Sequence, residues 1–419
     1  MRFVNTTIEI PYGSKIISIQ LPPSWNLLGE FVPNDISNSI SPKQALSHAL
    51  ENLIGDVNLE PLFQNKKEVV IISDDKSRPT PTNLIIPPLL NVLNDYNIPD
   101  HHIKIIVGRG LHPTLTPQEL QEKFGPEVLT RVKIYDHNPQ NNLTYLGETS
   151  FGTKVYINSQ VVKADLRIGL GSIMPHELAG YTGGSGIVIP GVAGQETINQ
   201  NHCLVGTFEA EFGKLDGNTI REDMEEAAKL LGLNLIINTI LNSENKIIRI
   251  VAGDPIAAHH IGVNYSKAIY GVKIPRLVDV VIASSHPRNS TFGKAMKALF
   301  ASDLALKEDG VIIILAPCEQ GISSSSIFQN MLLQNPTSDL LFEYIEKGQL
   351  PGESCVLYLF SKIKTRRIIV VTDGLSKTEV EQMGLEFAPT LEGAIKRIHI
   401  KNPDVLIFPK GAITLPLLY

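Results

Sequence analysis

IKIIVGRGLHPTLTPQELQEK, residues 103–123, is the stretch that decides the fold. Ile103–Val107 is a short β-branched run of buried-strand length, and Gly108-Arg109-Gly110-Leu111-His112-Pro113 is a turn-rich loop. Pro117–Lys123 then begins an amphipathic helical pattern, so the stretch reads as one βα unit. Further strand candidates are Val69–Ser73, Val132–Tyr135, Leu166–Leu170, Leu235–Leu241 and Ile247–Val251, with a second amphipathic stretch at Ile220–Leu231. A second series follows the linker-like GVKIPRL at 271–277. It comprises strands Val278–Ala283, Gly310–Ala316, Ile368–Thr372 and Val405–Phe408, with helices near Gly293–Leu306 and Lys377–Met383. Strands alternating with helices imply largely parallel sheets covered by helices. The fold expected is therefore α/β, in two α/β domains with the active site in the cleft between them. An N-terminal domain carrying the catalytic loops is expected over 1–272, with 400–419 as a candidate completion of it. A C-terminal domain is expected over 273–399.

The bulk numbers agree with that reading. A chain of 419 residues is too long for one ordinary core, and 43% hydrophobic with 19% charged residues is the composition of a folded protein. A net charge of −6 does not suit a nucleic-acid binder. No run approaches the roughly 18 apolar residues that span a bilayer. The N-terminal MRFVNTTIEIPYGSKIISIQL alternates like a hairpin and lacks the apolar centre of a signal peptide. Three scattered cysteines, Cys203, Cys318 and Cys355, imply no disulfide framework, so the cytoplasm is the expected compartment.

Polar chemistry falls just after four consecutive strands: Asp74 to Pro79, Gly108 to Pro113, Asp136-His137-Asn138-Pro139, and Gly171 to His176. Each alone reads as turn chemistry. Four such loops, each with His or Arg, point to one site at one sheet edge. His176 heads a stretch dense in glycine, with Gly180, Gly183, Gly184, Gly186, Gly191 and Gly194 before His202. Such density suits close backbone approach to an anion, though neither a Walker loop nor a dinucleotide fingerprint is present. Its apolar Ile187, Val188, Ile189 and Val192 suit a loop over a cleft better than a free surface loop. Taken singly, His202 reads as a structural residue as readily as a metal ligand, and no zinc spacing accompanies it. Lys294 and Lys297 lie one helical turn apart, as on a solvated basic stripe or a helix facing a ligand. His259 and His260 begin a helix capped by Asp254 with Pro255 at its first position, which explains Asp254 structurally.

Together these stretches resemble the nickel-dependent lactate racemase family of 2-hydroxyacid racemases and epimerases. The resemblance is carried, in order, by DDKSRPTP at 74–81, GLHPTLTPQE at 110–119, DHNP at 136–139 and HELAGYTGG at 176–184. PGVAGQETINQNH at 190–202, AGDPIAAHHIGV at 252–263 and KAMKAL at 294–299 complete it. It implies a two-domain α/β fold and a nickel-pincer nucleotide, a pyridinium mononucleotide whose sulfur and carbon atoms hold nickel. His202 corresponds to the protein's nickel ligand, and His112 and His176 to the two acid/base histidines. Asp75, Lys76, Ser77 and Arg78, with Gly183, Gly184 and Gly186, correspond to cofactor-binding positions. Arg78, Lys294 and Lys297 correspond to substrate-binding positions. The implied activity is racemisation of a 2-hydroxyacid by transient hydride transfer through a 2-keto acid, with cofactor-biosynthesis proteins as partners. A noncatalytic binder of the nucleotide or of a phosphorylated metabolite is the alternative, and another hydride transfer on the same cofactor is a third reading.

The sequence departs from the family pattern at three places. Gly186 stands where lactate racemase has the lysine that tethers the cofactor, which implies noncovalent binding. Lys294 replaces a substrate-contacting glutamine, and the pocket tryptophan has no counterpart because Trp25 is the one tryptophan. The substrate therefore need not be lactate.

Overall fold

The computed structural model describes residues 7–36, 40–207 and 210–418. The chain opens with an antiparallel hairpin of β1 (Ile8–Tyr12) and β2 (Lys15–Ile19), then β3 (Asn26–Glu30). Met1–Thr6, part of the alternating N-terminal pattern, lie outside the described residues.

Two compact units follow from how the chain packs. The first comprises Asp35–Ile269 with Pro351–Glu353. It contains α1 (Pro42–Glu51), α2 (Leu59–Phe63), β4 (Val69–Asp74), α3 (Thr82–Asp95), β5 (Ile103–Gly108), α4 (Pro117–Arg131) and β6 (Lys133–Asp136). Then come β7 (Leu143–Glu148), β8 (Lys154–Asn158), α5 (Ser159–Val162), β9 (Leu166–Ser172), β10 (Pro175–His176) and β11 (Gly180–Tyr181). The unit continues with α6 (Gln195–Cys203), α7 (Thr219–Leu231), β12 (Leu235–Leu241), β13 (Ile247–Gly253) and α8 (Ala257–Tyr270). Its six-stranded sheet runs β13-β12-β9-β4-β5-β6, parallel except for the β12–β13 pair. All six residues of β4 are buried, as a central strand covered on both faces requires. Because β4, β5, β6 and β9 run the same way, the loops after them share one sheet edge.

The second unit comprises Met1–Asn34, Tyr270–Leu350 and Ser354–Tyr419. It contains β14 (Gly271–Ile274), β15 (Val278–Ser284), α9 (Phe292–Asp303), β16 (Leu306–Leu315), β17 (Arg367–Val371), β18 (Glu386–Ala388), β19 (Asp404–Phe408) and β20 (Leu415–Leu418). Its sheet runs β18-β17-β16-β15-β19-β3, all parallel.

The units correct the domain limits expected from sequence. Residues 7–34 go with the second unit, not the first: β3 hydrogen-bonds to β19, and Ile8, Ile10, Tyr12 and Ile19 enter that unit's core. Of the stretch 400–419, residues 400–418 also stay there, through β19 and through β20 pairing with β14. The stretch at 271–277 is not a bare linker, since Gly271–Ile274 is that paired strand.

Candidate active site

The first unit gathers the histidine site at the sheet edge described above. Asp75 follows β4 and His112 follows β5, and the His112 ring Nδ1 lies 2.8 Å from Asp75 Oδ2. A carboxylate can only accept there, so Nδ1 carries the hydrogen and Nε2 keeps its lone pair. The His112 side chain is 53% exposed, which leaves that lone pair reachable. Asp75 is itself buried. Burial pushes its carboxyl up, but the His112 and Ser77 hydrogen bonds and the Arg78 charge outweigh it and hold the group well below the usual range. Ser77 donates from both N–H (3.0 Å) and hydroxyl (2.5 Å) to Asp75 Oδ1. The Lys76 ammonium pairs instead with Glu119, in the first turn of α4.

His176 lies in the short β10–β11 hairpin, opposite Gly180. Its Nδ1 accepts the N–H groups of Leu178 (3.2 Å) and Ala179 (3.4 Å), which puts the neutral ring's hydrogen on Nε2. Glu177 Oε2 is 4.0 Å from the same Nδ1. His112 and His176 thus rest in opposite tautomers, one presenting an acceptor and the other a donor.

His202 closes α6. Burial drives its pKa down to about 4, opposed by the Glu177 carboxylate and reinforced by His112, so both groups lie within electrostatic reach of it. Its Nδ1 is 3.1 Å from Asn201 Oδ1. The Asn201 amide cannot turn over, because its Nδ2 donates to Asp223 Oδ2 (2.7 Å) and to the Ile220 carbonyl (3.1 Å). Asp223 is fully buried and also accepts from the Thr149 hydroxyl (2.5 Å) and Thr153 hydroxyl (2.9 Å). The chain of bonds therefore fixes the hydrogen of His202 on Nδ1 and the lone pair on Nε2. A neutral imidazole with its second nitrogen anchored is what a metal ligand requires, so His202 fits a nickel centre.

The glycine-rich loop is held by buried side chains. Arg221 donates to the carbonyls of Ala179 (3.4 Å), Gly183 (3.1 Å) and Tyr181. His259 Nε2 lies 3.0 Å from the Thr182 carbonyl. The Gly184 N–H goes to Asn238 Oδ1 (2.7 Å) and the Gly186 N–H to the Gly183 carbonyl (3.1 Å), so both are engaged within the protein. Gly184 has φ +56°, and a Cβ there would meet the His259 ring at 2.6 Å, so glycine is needed for packing. Gly186 differs: its nearest neighbours would be the Arg221 guanidinium nitrogens at 3.9 and 4.0 Å.

Two family models cover the chain in order, the lactate racemase N-terminal domain over residues 12–213 and the C-terminal domain over 275–414. Lactate racemase of Thermoanaerobacterium thermosaccharolyticum is 31% identical over 422 residues, covering 96% of this chain and 97% of that one. That of Lactiplantibacillus plantarum is 30% identical over 419 residues, covering 96% and 98%. The chain belongs to the lactate racemase family. The family is one of isomerases, and the fold agrees. The T. thermosaccharolyticum lactate racemase apoprotein superposes with a TM-score of 0.89 at 29% identity, over 98% of this chain and all of that one. A Thermotoga maritima protein shares the fold at TM-score 0.69 and 19% identity, over 93% and 100% of the two chains.

Of the residues picked out by likeness to the lactate racemase family, Asp75, Ser77, Arg78, His112, His176 and His202 belong to the first unit, with Gly183, Gly184 and Gly186 in its loop. Lys294 and Lys297 belong to the second, on α9, where Lys294 Nζ donates to Ser290 Oγ (3.1 Å). His137, in the third loop, is fully buried with Nε2 2.8 Å from the Ala193 carbonyl and a pKa pushed by burial down to about 4; it supports the loop. Sequence reasoning missed Asn201, Arg221 and Asp223. The signal lay in α7, where Arg221 and Asp223 fall among the buried Ile220, Met224 and Ala227. Charges on the apolar side of a helix need partners, and here the partners are the site.

Proposed function

We propose that the protein is a nickel-pincer nucleotide-dependent racemase or epimerase of a 2-hydroxyacid, with the cofactor held noncovalently. The observation that carries this reading is the opposite tautomers of His112 and His176 in the same unit as a His202 whose Nε2 is set for a metal. When bound, the cofactor supplies a hydride acceptor and donor, which no side chain does.

The chain's own residues handle the protons and the charge. His112 Nε2 accepts the hydroxyl proton as the C–H bond gives up its hydride, and Asp75 stabilises the imidazolium that forms. His176 is the acid for the other hand of the substrate: it takes a proton from water on Nδ1 and gives the Nε2 proton to the carbonyl oxygen, ending neutral. Proton exchange with water resets both rings, so the net change is isomerisation. Arg78 supplies a cation for the carboxylate, and likeness to the family gives Lys294 and Lys297 a substrate-binding part. Lys294 and the missing tryptophan favour an acid more polar than lactate.

The test is expression with the cofactor-biosynthesis proteins, followed by nickel analysis and chiral assays over a panel of 2-hydroxyacids. Interconversion of at least one acid, lost in His112→Asn and His176→Asn, is the expected result. Nickel-loaded protein that leaves every acid untouched would refute the activity.

A further inference from the structure

Glu225 on α7 and His259 and His260 on α8 form a cluster of which the site above uses only His259, through its Nε2 and its packing on Gly184. One ligand atom from each lies within 4.8 Å of the other two. His259 is fully buried, and its Nε2 is spent on the Thr182 carbonyl at 3.0 Å. That bond places the ring's hydrogen on Nε2 and a lone pair on Nδ1, and this Nδ1 is buried with no hydrogen-bond partner among the described residues. A buried lone pair without a partner in a folded protein calls for a ligand. Glu225 is nearly buried, at 13% side-chain exposure, and its Oε1 sits 3.1 Å from His260 Nε2. His260 is half exposed, so the cluster opens to solvent on one side.

We propose that Glu225, His259 and His260 form a second metal site, for a zinc-class divalent cation. Two imidazoles and a carboxylate are a common three-residue donor set for zinc, leaving a fourth position for water. His259 is kept neutral by burial and by the nearby Arg221 charge, so it competes with no proton for the metal. The carboxylate of Glu225 supplies the negative charge that the ion needs beside Arg221, whose donors are turned to the loop carbonyls. The ion would join α7 to α8 and, through the His259–Thr182 bond, brace the glycine-rich loop from behind. Neither His202 nor any acid/base residue contributes a ligand, so the site stands independently of the proposed activity.

The test uses the full chain, stripped with chelator and free of the nickel cofactor. Zn²⁺ is titrated calorimetrically, and Co²⁺ is followed by its visible absorption. The proteins are wild type, His260→Ala, Glu225→Gln and His202→Ala. Wild type and His202→Ala are expected to share a Zn²⁺ site that raises the melting temperature and gives a tetrahedral Co²⁺ spectrum. His260→Ala, altered at an exposed position, is expected to stay folded and lose at least tenfold in affinity for that site, as is Glu225→Gln. Equal binding and equal melting shifts in wild type, His260→Ala and Glu225→Gln would overturn the proposal. So would loss of the Zn²⁺ site in His202→Ala, or no Zn²⁺ binding by the wild type.

Discussion

Replacing Asn201 with alanine tests whether the bonds behind His202 set it up for the proposed nickel site. Asn201 makes three contacts: to His202 Nδ1 at 3.1 Å, to Asp223 Oδ2 at 2.7 Å and to the Ile220 carbonyl at 3.1 Å. Asp223 keeps its two threonine donors in the variant. Losing one bond to a buried carboxylate costs about 1.5–3 kcal/mol, and the two neutral bonds about 1 kcal/mol each. Asn201→Ala is therefore expected to lose roughly 3.5–5 kcal/mol of stability, read by denaturant unfolding. The metal loses separately. With no acceptor beside Nδ1, the His202 hydrogen is free to move to Nε2, where it blocks ligation. Outer-shell changes of this kind weaken metal binding about 10–100-fold, or roughly 1.4–2.8 kcal/mol. Nickel retention of loaded protein against a chelator reads that loss, and nitrogen-15 spectra of labelled histidine in unloaded protein read the tautomer. Loss of stability with nickel retention and the Nδ1–H tautomer both unchanged would refute the argument and leave Asn201 a packing residue.

Three further substitutions test the same geometry. Gly186→Lys is expected to fold with a stability change within about 1 kcal/mol, because a Cβ there meets nothing closer than 3.9 Å. Denatured wild-type protein should carry no cofactor mass, and an adduct on it would sink the noncovalent assignment. Asp75→Ala should lower turnover about 10²–10⁴-fold by freeing the His112 tautomer, with stereochemical assays as the measure. The Asp75 carboxyl is depressed in the folded state, so its stabilisation is full above the unfolded value of about 3.9 and is lost only as pH falls below it. The stability difference between wild type and Asp75→Ala should therefore shrink as pH falls below about 4, read by urea midpoints from pH 5 down to 2, and a difference that does not change there contradicts the pairing. His137 works the other way: its folded pKa of about 4 lies below the ordinary 6.5. Unfolded chains take up a proton first as pH falls from 6.5 towards 4, so this one group costs on the order of 3 kcal/mol there. His137→Gln should flatten that part of the pH–stability curve, measured by urea midpoints at pH 7 and 5.

Local order explains what the sequence revealed of the fold. The strands at Val69, Ile103, Leu166 and Leu235 are runs of buried β-branched and leucine residues beside strong turn signals, so each announces itself within ten residues. The N-terminal strand Asn26–Glu30 does not: it is short, contains Gly29, and pairs with Asp404–Phe408 almost at the other end of the chain. No periodicity encodes a partner so remote, so the unit limits were misjudged at both termini. Thr82–Asp95 was missed for the opposite reason. Pro87 and Pro88 lie inside it and read as breakers, yet the buried Ile85, Ile86, Leu89, Leu90 and Leu93 hold the helix together.

The site divides along a similar line, between residues that do chemistry and residues that constrain it. His112, His176 and His202 stand in recognisable motifs, but a motif names a ring and not which nitrogen bears the hydrogen. That assignment comes from Asp75 for His112, from two backbone N–H groups for His176, and from Asn201 backed by Asp223 for His202. For a metal ligand, tautomer decides function, since the same imidazole with its hydrogen on Nε2 binds nothing there. Asp223 lies on another helix from His202 and Thr149 on a hairpin strand loop, so the constraint exists only once the unit is folded. The Gly186 departure gains its meaning in the same way. In sequence it is a residue without a side chain; in the fold the loop around it is pinned by Arg221, His259 and Asn238, which supports the proposed noncovalent holding of the cofactor.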